Sequence, residues 1–237
     1  MITIRENVFE TNSSSMHAIV VSRNTISDFS KFKGHSTIDF DLGMDFSSRC
    51  LIPRKSASEK ASYIFHLICN MVCADWPYHY NKAYTKEEIS LIKKNYKKFE
   101  KALELIRLYY RYNSKLLITF SDVNLKLDEA SGTANIESQD YSSLGCYGHN
   151  SLCDALFLND LVEHLKGFIA GKEKLEDSSV FWMYMDTILS FVLDDNSIII
   201  QGSDEMDDLE IEKQKKLVIK YIKKNKGDAS VIWPLGG

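Results

Sequence analysis

The seven residues Ile89, Ile92, Tyr96, Phe99, Leu103, Ile106 and Tyr110 follow one another at spacings of 3, 4, 3, 4, 3 and 4. That rhythm lines apolar side chains along one stripe of an α-helix. Just ahead of it, Thr85-Lys-Glu-Glu88 has the form of a capping box, in which a hydroxyl and a carboxylate each satisfy a backbone N–H at the helix start. The spacing predicts one long amphipathic helix over about 86–112. So long a stripe demands an apolar partner of similar length: either another element of this chain or a second copy, as a homodimer through residues 89–110.

Other elements are placed around this one. Ser56-Ala-Ser-Glu59 is a second capping box, and the apolar stretch it opens predicts a central helix through about Cys73. Leu158, Leu161, Leu165 and Phe168, ending at Gly171, predict a helix over about 151–170. The apolar run Val180 to Leu193 predicts a buried helix, and residues 209–225 predict an amphipathic one. In the latter, Glu210 and Glu212 near the start and Lys220, Lys223 and Lys224 near the end complement the helix dipole. Strand patterns occur at Ile2 and Ile4, at Ala18 to Val21, and at Ile38, Phe40 and Leu42, with residues 43–56 left as a loop. Further on, "KLLITF" and "VNLKLD" read as strands pairing with "TANIES" across Ser131-Gly132, then "SIIIQG" as an inner strand and "ASVIW" as a last one. Strands and helices alternate without a βαβ rhythm, and no linker or repeat interrupts them. The expectation is one α+β domain over 1–237, with residues 57–113 as a helical subregion and a small mixed or antiparallel sheet packed with four to five helices.

The 44% apolar and 26% charged composition fits a folded globular chain. With 29 basic against 33 acidic residues the net charge is −4, which argues against direct binding of nucleic acid through a global positive field. A local basic face remains open: Lys93, Lys94, Lys97, Lys98 and Lys101 lie opposite the apolar stripe of the long helix, diluted by Glu87, Glu88, Glu100 and Glu104. Five cysteines, an odd number without a disulfide-like pattern, suit a reducing compartment such as the cytoplasm. The opening "MITIREN" is no signal peptide, and the run 180–193 is short of a bilayer span and broken by Asp186, Thr187 and Ser190, so no membrane association is expected.

Chemistry-bearing residues concentrate in "FETNSSSMHAIVV", Phe9 to Val21. Asn12, Ser13, Ser14 and Ser15 could present hydroxyls and backbone N–H groups to a phosphate, and His17, oriented by Glu10, could act as base for Ser13 or Ser15. The same residues make an ordinary turn whose side chains satisfy their own backbone. No Gly-x-Ser-x-Gly elbow is present. Gln139, Asp140 and His149 could join from a middle loop. Metal is not called for: Cys146, His149 and Cys153, and likewise His66, Cys69 and Cys73, carry zinc-type donors at spacings that match no standard module and equally suit buried thiols. No cofactor is implied. Two surfaces suit a macromolecular partner: the aromatic stretch Trp76, Tyr78, His79, Tyr80 and Tyr84, and the acidic turn Asp204, Glu205, Asp207 and Asp208, which could mimic phosphates. Folded inward or merely solvated, both would be structural.

Arg5 with "FETNSSSMH" resembles the N-terminal signature of a group of uncharacterised proteins encoded by phages and mobile elements of Gram-positive bacteria. "NIESQ" (Asn135 to Gln139) is similar to an Ile-Asp-His-Gln segment of that group, with Ser138 where the group carries histidine, and "IIIQGSD" (Ile198 to Asp204) is similar to its Ile-x-x-Gly-x-Asp segment. What the resemblance implies is a genomic setting in which small proteins disarm host defence or redirect host machinery. The resulting expectation is an accessory protein in the cytoplasm of a bacterial host that binds and inhibits or redirects a host protein or ribonucleoprotein complex, an anti-CRISPR-like inhibitor among the options. An enzyme or nucleotide- or phosphate-binding protein using the loop 11–17 is the alternative.

Overall fold

Helix α1 (Ala57–Cys73) is the centre of the molecule: from Lys60 to Cys73 only Met71 escapes full burial. A helix apolar on nearly all sides has to be enclosed. The computed structural model describes residues 16–23, 37–42, 51–77, 83–120, 125–128, 133–136, 156–203, 207–225 and 229–232. Ser56 and Glu59 form the expected capping box at the start of α1.

Helix α2 (Lys86–Ser114) begins at the Thr85–Glu88 capping box and ends at Lys115 in the left-handed conformation, φ 57°. Ile92, Phe99, Leu103, Ile106 and Tyr110 of its stripe are buried, with Ile89 and Tyr96 packed against the same core. The long apolar partner is therefore this chain itself. A homodimer through the 89–110 stripe is corrected accordingly, because its contact residues are spent inside the monomer.

Helix α3 (Leu158–Ala170) packs on both α1 and α2, and α4 (Ser179–Leu193) follows a short 3-10 turn at Leu175–Asp177. The expected start of α3 near 151 is too early, since Phe157 takes a left-handed backbone, φ 55°, that a helix cannot continue through. Gly171 closes α3 at φ 77°. A side chain there is strained, so Gly171→Ala is expected to cost about 1 kcal/mol in chemical denaturation. Helix α5 (Asp208–Lys224) is capped by Asp207, whose carboxylate accepts from the Glu210 N–H at 2.8 Å.

The strands are β1 (Met16–Arg23), β2 (Thr37–Phe40), β3 (Ile52–Arg54), β4 (Leu117–Phe120), β5 (Leu125–Asp128), β6 (Thr133–Ile136), β7 (Ile198–Ser203) and β8 (Ala229–Ile232). Four form an antiparallel sheet in the order β3-β7-β1-β8. Ile19, Val21, Ile198 and Ile200 face Val218 and Tyr221 of α5, whereas Val20 and Ile199 face the larger core around α1. Coverage on both faces explains why "IVV" and "III" are unbroken apolar runs. The fold class is α+β, as expected.

Strand pairing departs from the sequence expectation in three places. "KLLITF" pairs in parallel with β2 across Ile38 and Ile118, while "VNLKLD" and "TANIES" pair with each other. A three-residue edge strand, β3, lies within the stretch expected to be loop. Its Pro53 hides it from pattern reading and is tolerated because the strand stands at the sheet edge. β1 starts at Met16, two residues before the expected Ala18. The strand expected at Ile2 and Ile4 lies outside the described residues. Among the described residues no helix is long and apolar enough to cross a membrane.

Candidate functional site

The sequence places its chemistry in the segment leading into β1, and the sheet decides what that segment meets. Met16 pairs with Ser203, His17 with Gly202 and Ala18 with Gln201. Met16 and His17, which close "FETNSSSMH", are therefore joined at one end of the sheet to Ser203 and Gly202 of "IIIQGSD". β3 adds Arg54, whose Nη2 donates to Gln201 Oε1 at 2.9 Å. Gln201 is wholly buried, and its Nε2 has no hydrogen-bond partner among the described residues.

His17 lies in the ladder of β1 rather than in a loop, which corrects the reading of 11–17 as one continuous turn. Glu10, Asn12, Ser13, Ser14 and Ser15 lie outside the described residues, as do Gln139, Asp140, Cys146, His149, Cys153, Asp204 and Glu205. Asp207 and Asp208 open α5 as cap and first-turn residues, a structural use of their charge. Trp76 and Tyr84 are buried in the main core, and the Tyr84 hydroxyl donates to the Pro77 carbonyl at 3.1 Å. These two do not furnish the exposed aromatic contact the sequence suggested; Tyr78, His79 and Tyr80 lie outside the described residues.

The second thiol–imidazole group is core. His66, Cys69 and Cys73 are buried on α1. Burial pulls the His66 imidazole down to about 4, and burial, reinforced by neighbouring Cys73, pushes the Cys69 thiol up. Both are neutral near pH 7, the state a core accepts. Among the described residues no group of three or more His, Cys, Asp or Glu side chains is arranged to hold a metal ion.

On the outer flank of α2, the basic face noted in the sequence is part of a surface whose apolar residues the sequence reading passed over. Leu91, Lys94, Lys98, Lys101, Leu105, Leu108 and Tyr112 repeat the 3, 4, 3, 4, 3, 4 spacing of the buried stripe and form a second one. The end of α3 crosses its middle. Lys98 Nζ donates to the Ile169 carbonyl, and Lys101 Nζ stands 5.8 Å from the Phe168 ring centroid. Beyond that crossing, Tyr109 stacks on Trp182 of α4 at 3.8 Å with the rings 8° apart, and the Tyr110 hydroxyl donates to Asp186 Oδ1 at 3.0 Å. On the same two helices Leu108, Val180 and Met183 are exposed, and Tyr112 is 89% exposed. Phe157, also exposed, stacks on Tyr184 at 5.4 Å on another side of α4. The lysine-interrupted pattern disguised this stripe as a solvated face; its 3/4 spacing was the available signal.

No protein-family model, curated protein or solved structure matches the chain.

Proposed function

We propose that the protein acts by binding: it is an accessory protein of phage or mobile-element type that attaches to a host protein or ribonucleoprotein complex in the bacterial cytoplasm and inhibits or redirects it, as anti-defence proteins do. The observation that carries this reading is the apolar surface at the Tyr109–Trp182 stack, where Leu108, Tyr112, Val180 and Met183 stay exposed on two helices joined by that stack and by the Tyr110–Asp186 hydrogen bond. Tyrosine and methionine are enriched at interfaces and tyrosine among hot spots, with leucine and valine adding apolar contact area around them. Two supports, the resemblance at Arg5 and "FETNSSSMH" and the acidic overall balance, come from the sequence alone.

The immobilised protein is expected to retain a stoichiometric partner from host lysate. Leu108→Asp combined with Met183→Asp is expected to abolish that retention, each buried interface charge costing about 2 kcal/mol or more, with the circular dichroism unchanged. Retention that ignores both substitutions would remove this surface from the function.

A second reading, phosphate or nucleotide binding at the end of the sheet, is favoured by one observation: the pairing of His17 with Gly202 brings the two singled-out segments together beside the buried Gln201 amide. It predicts a rise in melting temperature with phosphate-bearing metabolites that Gln201→Leu removes.

A further inference from the structure

We propose that the lysines on the outer flank of α2, together with the turn that follows α3, form a contact for single-stranded nucleic acid. The inference rests on the binding reading above and names the chemistry of the partner, the exposed strand of a ribonucleoprotein. Lys94, Lys97 and Lys101 of α2 are exposed, as are Lys172 and Lys174 of the turn. The turn lies against the helix: a Cβ on Gly171 would stand 3.6 Å from Lys98 Nζ.

The charge of this region is not neutralised locally. Lys94, Lys97, Lys172 and Lys174 enter no ion pair among the described residues, while the carboxylates beside them are engaged elsewhere. Glu173, between two of the lysines in sequence, turns to His164 Nδ1 at 2.6 Å. Glu104 pairs with Arg107 at 2.5 Å, and Glu163 shares Lys166 with Asp75, at 3.3 and 2.6 Å. Glu100, Glu173, Glu176 and Asp177 remain nearby, leaving six lysines against four carboxylates when Lys98 and Lys101 are counted. A chain with a net charge of −4 therefore carries a local positive face.

Geometry selects the single strand among polyanions. Lys94, Lys97 and Lys101 advance along one side of the helix in steps of about 4.5 and 6 Å, a row of point charges. Further along the same stripe, about 16 Å beyond Lys101, the Tyr112 ring stands almost bare. A row of cations leading to an exposed aromatic face matches how single strands are held, phosphates on the lysines and an unstacked base on the ring. An acidic protein segment would use the lysines and have no call on the ring.

The test is fluorescence anisotropy of a labelled 20-nucleotide oligouridylate titrated with the full chain. Binding is expected at 50 mM salt and is expected to weaken about 50-fold at 200 mM, the response of about four neutralised phosphates. Lys94→Glu with Lys97→Glu is expected to weaken it at least about tenfold, and Tyr112→Ala at least about fivefold, with circular dichroism unchanged in both. No anisotropy rise at 50 mM salt, or a rise that both variants leave intact, overturns the inference. Displacement by polyglutamate at equal charge, with Tyr112→Ala without effect, assigns the face to an acidic protein and overturns it too. If the oligonucleotide fails while lysate capture still depends on Leu108 and Met183, the nucleic-acid inference falls and the binding reading stands.

Discussion

Replacing Phe65 by alanine is expected to lower the folding free energy by about 3–5 kcal/mol, a large share of the 5–15 kcal/mol typical of a domain. Phe65 is fully buried on α1 and touches both strands of the β2–β4 ladder through their aromatic residues. Its ring centroid lies 5.9 Å from Phe40, edge-on, and 5.1 Å from Phe120, and those two rings, paired in register, are 5.2 Å apart. A four-residue parallel ladder has little stability of its own. Besides the Phe65 ring it is held to α1 by a bond from the Asp41 N–H to Ser62 Oγ at 3.1 Å. Truncating the ring thus leaves a cavity and loosens the ladder, so the loss belongs at the upper end of that range. Equilibrium denaturation reads it; Phe65→Leu, which keeps most of the volume, is expected to lose less than half as much. A cost below about 1 kcal/mol for the alanine variant would mean that the three rings do not act as one packing unit.

How much of this was legible depends on whether the signal was local. Both capping boxes, at Ser56 and Thr85, and the stripe from Ile89 to Tyr110 are short-range patterns, and α1 and α2 stand where those patterns put them. β7 and β8 likewise announced themselves by composition. Pairing did not: nothing in "KLLITF" says that its neighbour is "TIDF", some 80 residues earlier and parallel, because that choice is made by how α1 and α2 pack between them. β3 was hidden by its shortness and by Pro53. The candidate site divides the same way. "FETNSSSMH" and "IIIQGSD" were recognisable one by one, but their contact exists only through the β1–β7 register. On α2 the second stripe was read as polar because lysines occupy its middle, although lysine stems and heads there cover the end of α3.

Stability is expected to rise, not fall, as the pH is raised from 8 towards 9. Lys60 on α1 is 1% exposed, and its Nζ donates to the Phe191 carbonyl at 3.3 Å, the Asp194 carbonyl at 2.8 Å and Ser197 Oγ at 2.8 Å. Three acceptors suit the three N–H bonds of an ammonium, and the position at the C-terminal end of α4 suits its charge. Burial nonetheless outweighs the help from Asp194 and Asp195 and pulls the amine from 10.5 down to about 8. Below pH 8 both folded and unfolded chains hold the proton and the penalty is complete. Between 8 and 10.5 the unfolded chain holds it while the folded chain does not, so alkali favours folding, by about 3 kcal/mol at the limit. Above about pH 9 the buried Cys69 thiol works in the opposite sense, and above about pH 10 the buried Tyr110 phenol joins it, because burial, with Cys73 beside the first and Asp186 beside the second, raises both above their usual values and only the unfolded chain ionises readily. The acid side belongs to His66: with its imidazole held down to about 4, the unfolded chain takes up the proton first, and about 3 kcal/mol is lost as the pH falls from 6.5 to 4. Urea denaturation at half-unit steps from pH 4 to 10.5 is expected to give a shoulder between 6.5 and 8 and a maximum near 9. In Lys60→Met the rise above pH 8 is expected to vanish at little cost at pH 7, because an aliphatic stem is kept and the single Ser197 O–H, 2.6 and 2.8 Å from the carbonyls of Phe191 and Asp194, still donates to one of them. An alkaline rise that persists in Lys60→Met would place its origin in another group.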